Sequence, residues 1–367
     1  MEKLKIGNLK IKTPIIQGGM GVCVSLSGLA SAVANEGGIG VISAVGIGMS
    51  EPDFRKNFRE ANKRALKNEI RKARLKTNGI LGVNIMMAVS DFDDLLEVAL
   101  LEHIDVVFIG AGLPLKKPFN ISNSLLESTN TKFIPKVSSA RAAKLIFQYW
   151  SQKYNRVPDA IVIEGPLAGG HIGFKKNELF ESEKSLESIL SATLPVIKHF
   201  EQKYAIEIPV IAGGGIYSGR DIWEIMSLGA KGVKIGTRFV TTNECDASIE
   251  FKQNYISCSS NDITIIDSPV GLPGRVITNN FVQEIQAGKQ RPINCAWKCL
   301  KTCDFRKVQF CIAEALFNAA NGDFTNGFSF AGTNAFLAEE VISVKETMNQ
   351  LKNEYFIEQL CSEGMKV

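Results

Sequence analysis

One of the three histidines of the chain lies in a segment of small residues. His171 follows Ala168, Gly169 and Gly170, and this segment comes shortly after the apolar run Ala160 to Ile163. Small neighbours let a flat ligand approach the backbone closely, and imidazole is the side chain whose pKa best suits proton transfer near neutrality. We therefore interpret His171 as a catalytic residue on a loop after a strand.

Three other polar side chains interrupt or close apolar runs. Asn84 stands near the end of the run Ile80 to Ile85, and its amide can both donate to and accept from the edge of a ring. Lys136 ends a second run, where a buried cation is costly unless a negative group faces it. Glu164 ends the run that precedes His171. Together these residues predict a ring of polar groups around one ligand pocket.

Two glycine-bearing segments follow strand-like runs later in the chain. Gly213 to Gly215 lie between Ala212 and Ile216, and Ser218 to Asp221 then match a capping box that opens a helix. Exposed N–H groups at glycines and at helix starts bind phosphate well. We predict a phosphate site; tight turns that need glycine geometry are the alternative. Its residues are Gly213, Gly214, Gly215, Gly236 and Thr237.

Short apolar runs alternate with amphipathic stretches over about the first 240 residues. Eight such units favour a closed (β/α)8 barrel, an α/β fold in which ligands meet the carboxyl ends of the strands. An open doubly wound sheet is the alternative, but Gln17 to Gly21 carries only part of its usual G-x-G-x-x-G turn. The predicted strands are Pro14 to Gln17, Gly38 to Ser43, Gly79 to Ile85, Asp105 to Gly110, Lys132 to Val137, Ala160 to Glu164, Ile208 to Gly213 and Gly232 to Gly236.

Beyond about Phe239 the strict alternation fades. We expect a barrel over residues 1–239 and a smaller, mostly helical substrate-binding or lid region over residues 240–330. The segment 331–367 is predicted to return to the barrel through a helix from Ala335 to Leu351.

Four cysteines stand out in the second region: Cys295, Cys299, Cys303 and Cys311. On a helix the first three would share one face, and four thiolates are enough for a [4Fe–4S] cluster. The paired C-x-x-C usual for zinc is missing, and no histidine is near in sequence. Because cysteine is among the most buried residue types, we predict free thiols and no metal ligand; an iron–sulfur or zinc site is the alternative.

The net charge of +4 hides one strongly basic segment. Arg55 to Lys76 carries ten Lys or Arg and two Glu. Its apolar residues recur at helical spacing, which favours a solvated outer helix with one buried face. An acidic or phosphate-rich partner is the alternative. Nucleic-acid binding has little support, since the segment lacks interleaved surface aromatics.

Cysteine usage and hydropathy suggest a compartment. Eight cysteines at irregular spacing in 367 residues do not resemble a secreted disulfide framework. No window reaches the ~18 uncharged apolar residues of a membrane-spanning helix. We therefore expect a cytoplasmic protein without a membrane segment, and a homodimer is a further expectation from the prevalence of twofold assemblies.

Several of these segments together resemble the nitronate monooxygenase family, formerly called 2-nitropropane dioxygenases. The resemblance spans about residues 10 to 240, and the histidine segment is its most specific part. Flavin-dependent enoyl-acyl-carrier-protein reductases share the same elements. Either resemblance implies FMN in a TIM barrel. The segments are Pro14 to Met20, Gly82 to Asn84, Ala168 to Gly173, Ala212 to Ile216 and Gly236 to Phe239.

The resemblance also implies roles for single residues. Gln17, Gly18, Gly19 and Met20 would line the flavin, Asn84 and Lys136 would contact its ring system, and the glycine segments would hold its phosphate. To the cofactor site we add four residues around the catalytic histidine: Glu164, Ala168, Gly169 and Gly170.

The same apparatus serves two reactions. As a nitronate monooxygenase, the protein would oxidise alkyl nitronates with O2 to a carbonyl compound and nitrite, with His171 as the base or as a partner of the nitronate charge. As a reductase, it would pass hydride from NAD(P)H through FMN to an enoyl thioester. We favour the first reaction. A non-catalytic flavin-binding subunit that docks an acidic carrier protein, and a phosphate-sugar isomerase barrel without flavin, are further alternatives.

Overall fold

The computed structural model describes residues 1–116, 122–291, 293, 295 and 297–364. Eight parallel strands form a closed barrel, and short antiparallel sheets lie at its two ends. In chain order the strands are β1 (Leu4–Ile6), β2 (Leu9–Ile11), β3 (Ile15–Gln17), β4 (Ile39–Ser43), β5 (Ile80–Met86), β6 (Val106–Gly110), β7 (Lys132–Val137), β8 (Ile161–Glu164), β9 (Gly170–His171), β10 (Val210–Gly213), β11 (Gly232–Ile235), β12 (Ile263–Asp267) and β13 (Pro273–Ile277).

Most of the helices follow barrel strands and cover the barrel from outside. They are α1 (Ser27–Asn35), α2 (Phe54–Lys76), α3 (Phe92–Leu101), α4 (Asn123–Ser128), α5 (Ala140–Tyr154), α6 (Leu186–Tyr204), α7 (Gly219–Ser227), α8 (Thr237–Val240), α9 (Ile249–Ile256), α10 (Asn280–Gln286), α11 (Ile312–Ala320) and α12 (Val344–Ser362).

The barrel closes in the order β3, β4, β5, β6, β7, β8, β10, β11 and back to β3. Seven of these strands lie within predicted runs and β5 extends one residue beyond its run, to Met86, so the (β/α)8 prediction is confirmed. The register brings polar strand ends side by side: Ser43 pairs with Asn84, and Gly213 pairs with both Glu164 and Lys234. Parallel strands end on one face of a barrel, so these residues share one mouth.

Apolar residues fill the barrel from the opposite end. Phe108, Ile134 and Val162 pack inside the strands, together with Leu4 and Ile6 of β1. The hairpin formed by β1 and β2 therefore covers the amino-terminal end of the barrel. Because that end is filled, the carboxyl end is the one open to a ligand.

The basic segment forms the outer helix α2. Phe54, Ala61 and Leu66 are buried on one face, as its helical periodicity predicts. Most of its cations lie in ion pairs with acidic groups of this chain. The paired residues are Arg55, Arg59, Lys63, Arg64, Lys67, Arg71, Lys72 and Arg74.

The region after the barrel contains β12 and β13 as well as helices, and these two strands form a three-stranded sheet with β9. This sheet was not expected from the sequence. The bounds of the predicted last helix are wrong: Ala335–Leu337 form one short 3-10 turn, and α12 begins only at Val344. The helix begins there because the Ser343 hydroxyl caps it by accepting from the Glu346 N–H at 3.1 Å.

Helix α12 packs against α7 and α1. The Glu354 carboxylate accepts from the N–H of Gly219, the first residue of α7, at 2.6 Å. The predicted capping box of α7 is present, with Ser218 and Asp221 bonded reciprocally. In the part of the chain that the structure describes, no helix combines the length and apolar character needed to cross a membrane.

Candidate active site

A cavity of about 810 Å³ opens at the carboxyl ends of the barrel strands. It lies within the ~300–1,000 Å³ range of small-molecule and cofactor sites. With one exception, the predicted site residues line it: Gly18, Gly19, Met20, Asn84, Lys136, Glu164, Ala168, Gly169, Gly170, His171, Gly213, Gly214, Gly215, Gly236 and Thr237. The structure therefore brings together residues that are up to about 220 positions apart in the sequence.

Gln17 is the exception: its side chain does not line the cavity, so it lies away from the flavin position that the sequence predicted for it. Its side chain is fully buried behind the cavity wall. The amide donates to Ser25 Oγ at 2.9 Å and accepts from the Val41 N–H at 2.7 Å. Both ends of the amide are thus occupied inside the protein, so Gln17 supports the Gly18 to Met20 loop rather than facing a ligand.

The wall near β5 is shaped by a close approach of backbone to side chain. A Cβ at Gly19 would lie 2.6 Å from the Cβ of Asn84, so only glycine fits there. Beside Asn84, the Ser43 hydroxyl is buried, lines the cavity and has no hydrogen-bond partner among the described residues. Buried hydroxyls normally find a partner, so this wall suits a ligand with polar edges.

The glycine loop after β10 presents unpaired backbone donors. Among the described residues, the N–H groups of Gly214 and Gly215 find no acceptor. Gly214 has a φ of +99° and a Cβ there would lie 2.9 Å from the Gly165 carbonyl oxygen. Thr237, after β11, accepts at its hydroxyl from the Gly332 N–H at 3.0 Å. Consecutive free N–H groups in one glycine loop form the kind of concave donor set that binds an anion.

Lys136 and Glu164 form an ion pair across the mouth of the barrel. Lys136 Nζ donates to Glu164 Oε1 at 2.8 Å, and the side chains are 28% and 19% exposed. Glu164 is thus the negative partner that a partly buried lysine such as Lys136 needs. The two predicted cofactor residues therefore also hold each other in place.

Lys234 of β11 is a second cation in the same cavity. Its Nζ lies 4.2 Å from the centre of the Phe108 ring, and the described residues offer it no hydrogen bond or ion pair. Burial lowers the pKa of Lys234 to about 7, Lys136 lowers it as a nearby like charge, and Glu164 opposes both effects. Because the charged form of this lysine has no partner among the described residues of the cavity, an anionic ligand group beside it would stabilise the ammonium form.

His171 lies in β9, a two-residue strand rather than a free loop. Its Nε2 lies 2.6 Å from the Ser268 hydroxyl, and its ring meets Phe330 edge-on, with centres 4.9 Å apart. Burial lowers the pKa of His171 to about 4, and the charge of Lys136 contributes in the same direction. The imidazole is therefore neutral near pH 7 and able to accept a proton.

The segment that carries His171 is fixed by Arg275 of β13. The buried guanidinium donates to the carbonyl oxygen of Pro166 at 2.8 Å and also to that of Ala168. In the adjoining ladder Gly170 pairs with Arg275, and His171 pairs with Gly274. The region after the barrel thus sets the position of the histidine.

The family model for nitronate monooxygenases matches residues 2–354 of this chain. The chain belongs to the nitronate monooxygenase family. Members of this family are flavin enzymes in general, and the chain is an oxidoreductase rather than an isomerase.

Curated relatives and a solved structure extend the likeness. The chain is 26% identical over 287 residues to the (3aS,4S,5R,7aS)-5-hydroxy-7a-methyl-1-oxo-octahydro-1H-indene-4-carboxyl-CoA dehydrogenase of Rhodococcus jostii, covering 78% of this chain and 69% of that protein. A probable nitronate monooxygenase of Staphylococcus saprophyticus is 27% identical, with 76% and 79% covered. FabK from Thermotoga maritima has a TM-score of 0.71 at 28% identity, with 96% of both chains covered.

Sequence reasoning missed three residues of this site: Lys234, which lines the cavity, and Ser268 and Arg275, which contact the histidine segment from behind the wall. Lys234 gives the same signal as Lys136, a charged residue inside an apolar strand, and could have been found by it. Ser268 and Arg275 give no local signal. They reach the histidine only because β13 pairs with β9, about 100 residues away in sequence.

Proposed function

We propose that the protein is an FMN-dependent oxidoreductase with FMN bound at the mouth of the barrel. The unpaired N–H groups of Gly214 and Gly215 would hold the phosphate together with Gly213, Gly236 and Thr237. Gly18 to Met20, Asn84 and Lys136 would contact the ring system. Bound FMN would accept electrons from one substrate and deliver them to another.

The proposed reaction is the oxidation of alkyl nitronates with O2 to a carbonyl compound and nitrite. The observation that carries this choice is the neutral state of His171 in the cavity wall, with its pKa lowered to about 4. In the tautomer whose Nε2–H donates to Ser268 Oγ, Nδ1 keeps its lone pair. When the neutral nitroalkane enters the site, that nitrogen can take its acidic α-proton, which yields the nitronate that is then oxidised, and Ser268 holds the ring during the transfer.

A second candidate is an oxidoreductase of acyl thioesters, such as an NAD(P)H-dependent enoyl reductase. The size of the cavity favours it, because about 810 Å³ leaves room for more than a small nitronate beside a cofactor. The relative from Rhodococcus jostii is named as a carboxyl-CoA dehydrogenase, and FabK resembles this chain along 96% of its length. A carrier protein that docks on α2 gains little support, since most cations of that helix are already paired.

The test is an anaerobic titration of the FMN-loaded protein, followed by its flavin absorbance. NADH, NADPH and an alkyl nitronate are added to separate samples. Loss of the oxidised flavin spectrum with nitronate, and none with either nicotinamide, supports the monooxygenase. Rapid bleaching by a nicotinamide, reversed by an enoyl thioester, overturns it in favour of the reductase. Protein that takes up no FMN overturns both candidates.

A further inference from the structure

Cys295, Cys299, Cys303 and Cys311 line one small pocket. The sequence predicted buried free thiols; all four are free of disulfides, but each is only half-buried. Their convergence was not predicted: the chain between Cys295 and Cys311 folds back so that thiols up to 16 positions apart face the same space. The other walls are largely apolar, with Leu300 and Phe310 among them.

The four thiols reach this space from two directions. Cys295, Cys299 and Cys303 lie on the segment before α11, and Cys311 stands at the start of that helix. None of the four forms a disulfide. Four free cysteines that line one pocket form one chemical unit.

A single metal ion does not fit this unit. Within the described ranges, no three His, Cys, Asp or Glu side chains are close enough to share one ion. A cubane cluster makes a different demand, because each cysteine binds a different iron at a different corner. Its four sulfurs therefore stand farther apart than the ligands of one tetrahedral zinc.

Backbone N–H groups lie near two of the sulfurs. The Lys298 N–H donates to Cys295 Sγ at 3.3 Å. Cys311 is the N-cap of α11, so its sulfur lies at the start of that helix, near the N–H groups of the first turn, without a capping hydrogen bond. N–H groups aimed at cysteine sulfur stabilise thiolates and tune iron–sulfur clusters.

The cysteine segment carries more positive than negative charge. Lys298, Lys301, Arg306 and Lys307 are exposed there, and the acidic group between them, Asp304, pairs with Lys307 at 3.4 Å. A [4Fe–4S]2+ core with four thiolates carries a charge of −2. These cations would offset that charge from the solvent side.

We propose that Cys295, Cys299, Cys303 and Cys311 bind a [4Fe–4S] cluster. On binding, the four thiols release four protons, and each thiolate forms one bond to a different iron without any change in oxidation state. Cys299 and Leu300 line both this pocket and the large cavity, so the cluster would form part of the wall between them. The site does not depend on which reaction the large cavity performs.

The test begins with anaerobic purification of the full chain, followed by reconstitution with sulfide and equal amounts of ferrous and ferric iron, the mixture that matches the oxidation state of a [4Fe–4S]2+ core. Iron, acid-labile sulfide and zinc are then measured per chain, and dithionite-reduced samples are examined by EPR. We expect about four iron and four sulfide per chain and a cluster EPR signal. FMN content is measured in the same samples, which separates failure of the cluster proposal from failure of the FMN proposal.

Two variants and one control locate the ligands. Cys299→Ala and Cys311→Ala should lower the iron and sulfide content by several-fold. Cys361→Ser, at an exposed position on α12, should leave both contents unchanged. The proposal is overturned if reconstituted wild type holds less than about one iron per chain, if it holds zinc without sulfide, or if folded variants keep the full cluster content. Circular dichroism establishes that the variants are folded.

Discussion

The chemistry of His171 depends on its low affinity for protons. Cavity walls shield the ring from water and Lys136 repels its cationic form, so the pKa falls to about 4. At neutral pH the imidazole is therefore unprotonated and its lone pair is free, so it has no proton to donate at the start of a catalytic cycle. The residue therefore suits a base better than a general acid that must begin the cycle protonated.

Replacement of His171 by Ala should slow turnover by ~100-fold or more, because a positioned general base contributes about that much. Flavin binding should be preserved, since the proposed phosphate and ring contacts come from other strands. The measurement is steady-state kinetics together with the flavin content of the purified protein. His199→Ala is the control, because His199 is exposed on α6. Near-normal turnover of the His171 variant would exclude the residue as the base.

The pH dependence of kcat/KM tests the same residue without a mutation. The neutral imidazole is the active form, so the rate should fall only as the pH drops toward about 4, where His171 gains a proton. A histidine free in water would cause the fall near 6.5. Profiles measured between pH 4 and pH 8 distinguish these cases. An inflection near 6.5 would contradict a shielded base.

Lys234 should couple the binding of FMN to the uptake of a proton. An anionic ligand beside its ammonium group raises a pKa that begins at about 7. At pH 8 the free lysine is then mostly neutral and the bound one mostly charged, so binding takes up close to one proton and weakens as the pH rises. Calorimetry in two buffers of different ionisation enthalpy measures this uptake. The Lys234→Met variant should show no such proton uptake. Equal uptake in that variant would mean that Lys234 does not interact with bound FMN.

At the scale of elements, the loop after β10 combines backbone strain with a tight fit. Gly214→Ala would cost about 1–2 kcal/mol for a side chain at positive φ and would also push a methyl group to 2.9 Å from the Gly165 oxygen. We expect FMN affinity to fall at least tenfold in equilibrium binding. Gly288→Ala is the matched control: its φ is +88°, nothing lies within 4 Å of the new Cβ, and it is outside the cavity. Equal loss in both variants would mean that general destabilisation is responsible.

The barrel strands could be predicted because each is a local pattern of apolar residues between helices. The glycine loops and the ring of Asn84, Lys136 and Glu164 could also be placed, since a parallel barrel puts all strand ends on one face. The β9–β13 pairing could not, because it depends on contacts across about 100 residues. The start of α12 was missed since the capping Ser343 lies beyond an irregular segment that the apolar pattern does not distinguish from helix.

At the scale of the whole molecule, the barrel and the region after it build one site. Arg275 fixes the histidine segment, the Gly332 N–H donates to Thr237 Oγ1, and the Asn334 amide donates to the Gly215 carbonyl oxygen at 2.7 Å. Each of these contacts joins a residue beyond position 240 to a strand end of the barrel. The proposed boundaries at residues 239 and 330 therefore separate segments of the chain that share one core.

This arrangement predicts that the protein unfolds in a single thermal transition. Bound FMN should raise the temperature of that whole transition. A ligand at 100 times its Kd adds about 2.7 kcal/mol to the stability of the state that binds it, so the Tm should rise by several degrees. Differential scanning calorimetry over a range of FMN concentrations measures the shift. Riboflavin lacks the phosphate that the glycine loops would hold and should raise the Tm less. Two separate transitions, of which FMN moves only one, would instead mean that the region after the barrel folds independently of the site.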